Sequence, residues 1–177
     1  MNILLLDRDG TIIADPDDER VDSVDKIKLF PDTIEALQYL AKHDFAVVLI
    51  TNQASIAEGR LTEAGFWHIQ DEVLRQLEPS GIQILKTYMN GEAPGPNASE
   101  QRKPSPGMLL QAAADLDFDI STVYMAGDRA TDVQAALNAG CKGGILVKTA
   151  RVNVDSPEAI YTAPSLMDVV QYVVANS

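Results

Sequence analysis

Two aspartates separated by one residue, Asp7 and Asp9, close an apolar run and precede a Gly-Thr pair in the segment NILLLDRDGT, residues 2–11. Further polar groups stand near the ends of other apolar runs. Thr51-Asn52-Gln53 follows FAVVLI, Asp128 and Asp132 follow STVYMAG, and Arg102-Lys103-Pro104 ends a turn-rich stretch after IQILKTY. Carboxylates gathered in one place repel one another unless a cation lies between them. A hard divalent ion does this, and Mg2+ takes one or two carboxylates together with waters and substrate phosphate oxygens. Thr51 offers a hydroxyl donor, and backbone N–H groups around Gly10-Thr11 and Asn52 can form an anion-binding nest. Lys103 supplies a compact positive charge suited to a phosphate oxygen. A nucleophilic carboxylate, a divalent cation, a hydroxyl and a lysine are the components of phosphoryl transfer through an aspartyl-phosphate.

These groups converge only if the intervening elements bring them together. Short apolar runs at 2–6, 45–50, 82–88, 121–127 and 143–147 predict strands, with a last short strand near 159–162. Helical patterns separate them: from Pro31 to about His43, from an N-cap at Thr62 to about Leu77, from Ser105-Pro106 to about Leu116, over 129–139, and from about Ser165. Strands alternating with helices imply an α/β fold, a Rossmann-like doubly wound parallel sheet covered on both faces by right-handed crossovers. Ligands in such sheets bind beyond the carboxyl ends of the strands, where the polar groups named above fall. Period-two alternation sends Asp7 and Asp9 to one side and turns Arg8 away, so solvent is the default for Arg8 and, by helix phase, for Arg129.

With 177 residues the chain is expected to form one domain with a real core. Its apolar runs are too short to cross a bilayer, and no signal-peptide pattern opens it. One cysteine, Cys141, excludes an internal disulfide and suits a reducing, cytoplasmic setting. The formal net charge of -12 argues against a nucleic-acid surface. That charge would also repel an anionic substrate at long range, a conflict that acids gathered around a cation would reduce.

DRDGT, TNQ, RKPSPGM and GDRATD resemble, in order, the four motifs of the haloacid dehalogenase-like (HAD) phosphatases, and the resemblance covers nearly the whole chain. It implies that Asp7 attacks phosphorus and that Asp9 protonates the leaving oxygen, then activates water. It also implies a Mg2+ held by Asp7, the Asp9 backbone carbonyl and Asp128, supported by Asp132, with Thr51 and Lys103 on the transferring phosphoryl group. Within the superfamily the chain is similar to the histidinol-phosphate phosphatase and D,D-heptose 1,7-bisphosphate phosphatase subfamily. VDSVDKIKLFPDTI and GDRATD resemble the first branch and TNQASIAEGRLTEAGF the second, so the substrate stays open between them.

One departure stands out. That subfamily usually carries a structural zinc on a Cys-x-His pair and a Cys-x-Cys before the Arg-Lys-Pro motif. Here Met89-Asn90-Gly91 and Ser99-Glu100-Gln101 occupy those places, with no Cys or His between residues 69 and 140. No structural zinc is expected. The loop at about 89–102 is then ordered by Pro94, Pro96 and its own packing, or is mobile. No insertion is long enough for a separate cap domain, so a mobile flap or hairpin at about 12–29, the 54–61 segment and the 89–102 loop should cover the site. Arg102 is the candidate substrate contact, with Asn52 and Gln53 beside it. The acidic run Asp15–Glu19 reads as a solvated flap tip, and His43 and His68 lie on helices away from every motif. The expected partner is a small-molecule phosphate ester, with no nucleic acid or membrane, and the protein a monomer or small homo-oligomer. Three rivals remain: a receiver domain, a non-catalytic phospholigand-binding member and a nucleic-acid 3'-phosphatase. A receiver carries its acceptor on a central strand rather than beside a second acid at the first. Non-catalytic members usually lose Asp7, Asp9 or Lys103, all present here, and a nucleic-acid enzyme needs a basic groove.

Overall fold

A computed structural model describes residues 1–149 and 154–177. Six strands form one sheet: β1 (Asn2–Leu6), β2 (Phe45–Asn52), β3 (Gln83–Asn90), β4 (Tyr124–Gly127), β5 (Gly143–Val147) and β6 (Tyr161–Ala163). Their order is β3-β2-β1-β4-β5-β6, and every pairing is parallel. Five helices intervene: α1 (Thr33–Lys42), α2 (Glu63–Leu77), α3 (Gly107–Leu116), α4 (Ala130–Ala139) and α5 (Leu166–Ala175). The chain winds outward from β1 through β2 to β3, then returns to lay β4 on the other side of β1. The crevice between β1 and β4 is therefore the switch point at which doubly wound sheets take ligands.

The sheet is buried on both faces, which is why its central strands read as unbroken apolar runs. Leu4 and Leu6 pack with Leu37 and Leu40 of α1, Val73 of α2 and Val169 of α5, whereas Leu5 packs with Leu109 of α3 and Ala136 of α4. Burying each such leucine stabilises the fold by about 1.5–3 kcal/mol, so the β1 backbone is anchored on both sides just before it delivers Asp7.

The helix starts follow local chemistry. Thr62 caps α2, its hydroxyl accepting from Gly65 N–H at 3.0 Å. In α4, Asp132 accepts from Arg129 N–H at 3.0 Å, half of a capping box. Helix α1 begins two residues later than expected. Thr33 N–H bonds to Phe30 C=O in a turn, and the Thr33 hydroxyl donates to Ile12 C=O at 2.9 Å, pinning the helix start to the base of the flap.

The flap is not a hairpin of paired strands. Isolated bridges join Ile13 to Asp9 and to Leu29, Ala14 N–H donates to Lys28 C=O, and a 3-10 turn covers Val24–Lys26. Ile12, Ile13 and Val21 are buried and anchor it. Its acidic tip is partly committed: Arg60 of the 54–61 segment pairs with Asp18 and Asp22, and Arg20 pairs with Glu58.

Candidate active site

Two glycines let the acids close in. A Cβ at Gly10 would sit 2.3 Å from Asp128 Oδ2, and one at Gly127 would sit 2.2 Å from Asp132 Oδ2, so neither position admits a side chain. Gly10 also turns at φ +78, a left-handed conformation that favours glycine. Asp7 N–H bonds to Ala126 C=O at 2.9 Å, which extends the β1–β4 ladder by one step and carries Asp7 toward Asp128.

Asp7, Asp128 and Asp132 come together, offering carboxylate oxygens that all lie within 4.8 Å of one another. Lys103 reaches in from its loop. Its Nζ donates to Asp7 Oδ1 at 2.8 Å, Asp132 Oδ1 at 2.5 Å and Ile50 C=O at 2.7 Å, and it is almost fully buried. Fully ionised, three carboxylates against one ammonium would carry an excess of two negative charges in a buried place. Both oxygens of Asp128 are buried and make no hydrogen bond. The cost of that arrangement is visible in the acid strengths. Burial pushes Asp7 up to about 7, opposed by Lys103 and reinforced by the Asp132 charge. Burial, with the Asp7 and Asp132 charges behind it, pushes Asp128 up to about 9. Among the described residues, Asp128 has only the Arg129 guanidinium 3.9 Å away to offset its charge, so the ionised cluster suits a divalent cation. Asp7 and Asp128 have oxygens to offer it. Asp132 already spends one oxygen on Lys103 and the other on Arg129 N–H.

Asp9 is held differently. Its carboxylate accepts from Arg8 Nε and Nη2, both at 2.9 Å, and from Gln53 Nε2 at 2.6 Å. Gln53 Nε2 also donates to Thr51 Oγ1 at 2.9 Å, so Gln53 bridges the second motif to the first. Arg8 is fully buried, contrary to the solvent exposure expected for it. Nor does alternation turn Arg8 away from both acids: β1 ends at Leu6, so the strand period does not reach Arg8 and Asp9, the guanidinium grips Asp9, and α2 roofs it. There Nη1 donates to Gln70 Oε1 at 3.1 Å, and the guanidinium lies 4.9 Å from the Phe66 ring centroid. Gln70 was the available signal, a polar residue four positions after Phe66 on the apolar face of its helix.

Asn52 serves the site through the backbone of Lys103. Its side chain donates to Lys103 C=O at 3.0 Å and accepts from Lys103 N–H at 3.2 Å, fixing the residue whose ammonium sits among the acids. This role was not foreseen.

A cavity of about 690 Å³ opens over these groups, with Asp7, Asp9, Thr51, Lys103 and Asp132 at its base. Arg102, expected as a substrate contact, lines its wall, as do Arg20 and Arg129. Arg129 is half exposed, with its guanidinium 3.9 Å from Glu19, so it faces the cavity mouth rather than open solvent alone. The loop carrying Arg102 is tied down without cysteine or histidine. Glu92 Oε2 accepts from Asn90 Nδ2, Ser99 N–H and Ser99 Oγ, while Arg102 Nη1 donates to Glu92 C=O at 2.6 Å.

A lysine buried among carboxylates at the switch point of a doubly wound sheet places the protein with the α/β enzymes that move phosphoryl groups with a divalent cation. Comparison with known proteins narrows the class. Residues 100–173 match the HAD-hydrolase-like family model. The chain is 36% identical over 154 residues to the D-glycero-beta-D-manno-heptose-1,7-bisphosphate 7-phosphatase of Yersinia pestis, covering 84% of this chain and 81% of that one. It is 34% identical over 142 residues to the histidine biosynthesis bifunctional protein HisB of Spirosoma linguale, covering 79% of this chain but only 37% of that longer protein. The crystal structure of D,D-heptose 1,7-bisphosphate phosphatase from B. bronchiseptica, complexed with magnesium and phosphate, superposes with a TM-score of 0.88 at 31% identity, covering 100% of both chains. The chain belongs to the HAD-like hydrolases, and it is a phosphoric monoester hydrolase.

Proposed function

We propose that the protein is a Mg2+-dependent phosphomonoesterase whose substrate is a heptose 1,7-bisphosphate or a closely similar sugar bisphosphate. The observation that carries the catalytic part is the placement of Asp7. Its carboxylate lies at the base of the open cavity, bonded to Lys103 and beside Asp128, whose oxygens make no hydrogen bond.

Asp7 is the nucleophile, and attack on phosphorus makes an aspartyl-phosphate while the ester oxygen leaves. Asp9 gives that oxygen its proton and then takes one from the water that hydrolyses the intermediate. Lys103 and the Thr51 hydroxyl hold the phosphoryl oxygens as their charge redistributes in the transition state. Asp7, the Asp9 backbone carbonyl and Asp128 would hold the Mg2+, with Asp132 orienting Lys103. When bound, Mg2+ neutralises the charge shared by the acids and the phosphate and lowers the cost of bringing two anions together.

The bisphosphate assignment rests on the heptose-bisphosphatase relatives and on three arginines in the cavity wall, Arg20, Arg102 and Arg129, which suit a second phosphate. A histidinol phosphate substrate is the second reading, supported by the HisB match. The test is hydrolysis of a phosphate-ester panel with Mg2+, containing histidinol phosphate, both anomers of heptose 1,7-bisphosphate and simple alkyl and aryl phosphates. A heptose bisphosphate should be turned over most efficiently. Asp7→Asn should lower kcat at least about 10⁴-fold, since it removes the nucleophile itself. No hydrolysis of any member of the panel would sink the enzyme reading; a preference for histidinol phosphate would overturn only the substrate.

A further inference from the structure

We infer that Arg8 is a positioning residue for the proton-transfer group Asp9, acting through a buried brace that runs from the active site to the far edge of the sheet. The inference rests on the phosphatase reading above and adds to it a residue that touches neither substrate nor metal.

The geometry is a chain of fixed contacts. Arg8 presents Nε and Nη2 to the two oxygens of Asp9, each at 2.9 Å, as a fork. Its remaining arm donates to Gln70 Oε1 at 3.1 Å, and Gln70 Nε2 donates onward to Thr87 Oγ1 of β3 at 3.1 Å. Those two bonds fix which way the Gln70 amide points, and so which atom it offers Arg8. Phe66 lies under the guanidinium plane. Asp9 itself is partly exposed to the cavity, its side chain 22% accessible, while Arg8 has no exposure. A fully buried guanidinium is costly unless each of its arms is satisfied. Here that cost is met by aligning one carboxylate that faces the cavity. A carboxylate free to rotate about two side-chain bonds would spend little time facing the ester oxygen, and a small misplacement of such a group can cost a hundredfold in rate. Gln53 braces the same carboxylate from the other side, at 2.6 Å. Lysine could not replace Arg8, because one ammonium cannot grip both oxygens in plane.

The test separates positioning of Asp9 from general support of the fold. It compares kcat/KM, which reports steps up to leaving-group departure, on two esters: p-nitrophenyl phosphate, whose leaving group needs little protonation, and the alkyl phosphate that wild type hydrolyses fastest in the panel. Arg8→Met should lower kcat/KM about 100-fold on the alkyl ester and less than about fivefold on the aryl ester. Arg8→Lys should follow Arg8→Met rather than wild type. In an Asp9→Asn background, Arg8→Met should cost less than about threefold further, because the group it positions is already disabled. Gln70→Met, which keeps the ion pair and removes only its anchor, should show the same ester dependence at about three- to tenfold, and it carries the test if Arg8→Met does not fold. Equal losses on the two esters, or losses that multiply with Asp9→Asn, would overturn the inference and leave Arg8 a structural brace. Failure of wild type on every member of the panel would instead overturn the phosphatase reading, and the inference with it.

Discussion

The base of the cavity and the collar of loops around it are built on opposite principles. At the base, Asp7, Asp128, Asp132 and Lys103 are buried, and their partners come from different parts of the chain: Lys103 bonds Asp7 from 96 residues away. In the collar, the flap and the 54–61 segment meet through exposed pairs, Arg20 with Glu58 and Arg60 with Asp18 and Asp22. Charges at the base act at close range in a poorly screened place, so each one is decisive; those in the collar are screened by water and salt, so each is replaceable. Chemistry is thus fixed on strand ends, while the surface that meets the rest of the substrate is free to vary.

The sharpest way to break this contrast is to remove the ammonium that Asp7 and Asp132 share. Lys103→Met leaves Asp7 and Asp132 buried without their shared donor. Breaking a buried pair from one side costs about 3–5 kcal/mol, so thermal unfolding of the metal-free variant should drop well below wild type. A variant as stable as wild type would mean that the base is not electrostatically tight, and the comparison would fail.

The same tightness has a pH signature. Asp7 and Asp128 hold their protons in the fold to about 7 and about 9, whereas the unfolded chain ionises near 3.8. The unfolded state therefore gains from deprotonation first, and the stability of metal-free protein should fall as pH rises from about 4 to 9. Lys103, raised by its carboxylate partners against the effect of burial, favours the fold throughout this window; that contribution starts to fall only above its unfolded value of 10.5 and is lost as pH passes its folded value. Added Mg2+ should stabilise most at the alkaline end, where both carboxylates are ionised and ready to bind it. Melting curves across pH with and without Mg2+ measure this directly; a Mg2+ effect that shrinks with rising pH would contradict it.

The contrast also explains what could be read before the fold was known. Asp7, Asp9, Thr51, Lys103 and Asp128 were legible because parallel strands deliver polar groups to one edge and each group sits at a strand end or in a short motif. The flanking glycines were not: that Gly10 and Gly127 leave room for Asp128 and Asp132 depends on contacts that only the fold makes. Arg8 was misread because β1 ends before it, so alternation does not set its direction, and α2 arrives from more than fifty residues away to cover it. Asn52 lines the cavity, but its amide is spent on the Lys103 backbone, a pairing across 51 residues that no local pattern encodes. The Glu92 hub was invisible for a different reason: its carboxylate ties Asn90 to Ser99 within a turn-rich stretch in which every residue looks replaceable.

That hub is an intermediate case and predicts an intermediate effect. Glu92 lies in the collar, yet it organises the loop that aims Arg102 into the cavity. Glu92→Ala should raise KM roughly tenfold for a bisphosphate substrate while kcat changes little, because the reacting groups at the base are untouched. A matching fall in kcat would show that loop and base are coupled, and the division between the regions would need redrawing.

The weakest link should be the flap latch. Arg60 is exposed, and its bonds to Asp18 and Asp22 hold those carboxyls below their ordinary range mainly by local hydrogen bonding, with Lys26 contributing first in each case. Because Lys26 stays in place to pair both acids, Arg60→Gln removes only part of the network. Exposed pairs of this kind contribute little, so the melting temperature should shift by no more than about 2 °C. Whatever difference exists should vanish as salt rises toward 1 M, where screening acts over about 3 Å. A large shift that survives high salt would mean the flap is held as tightly as the base, and that the collar takes part in fixing the chemistry.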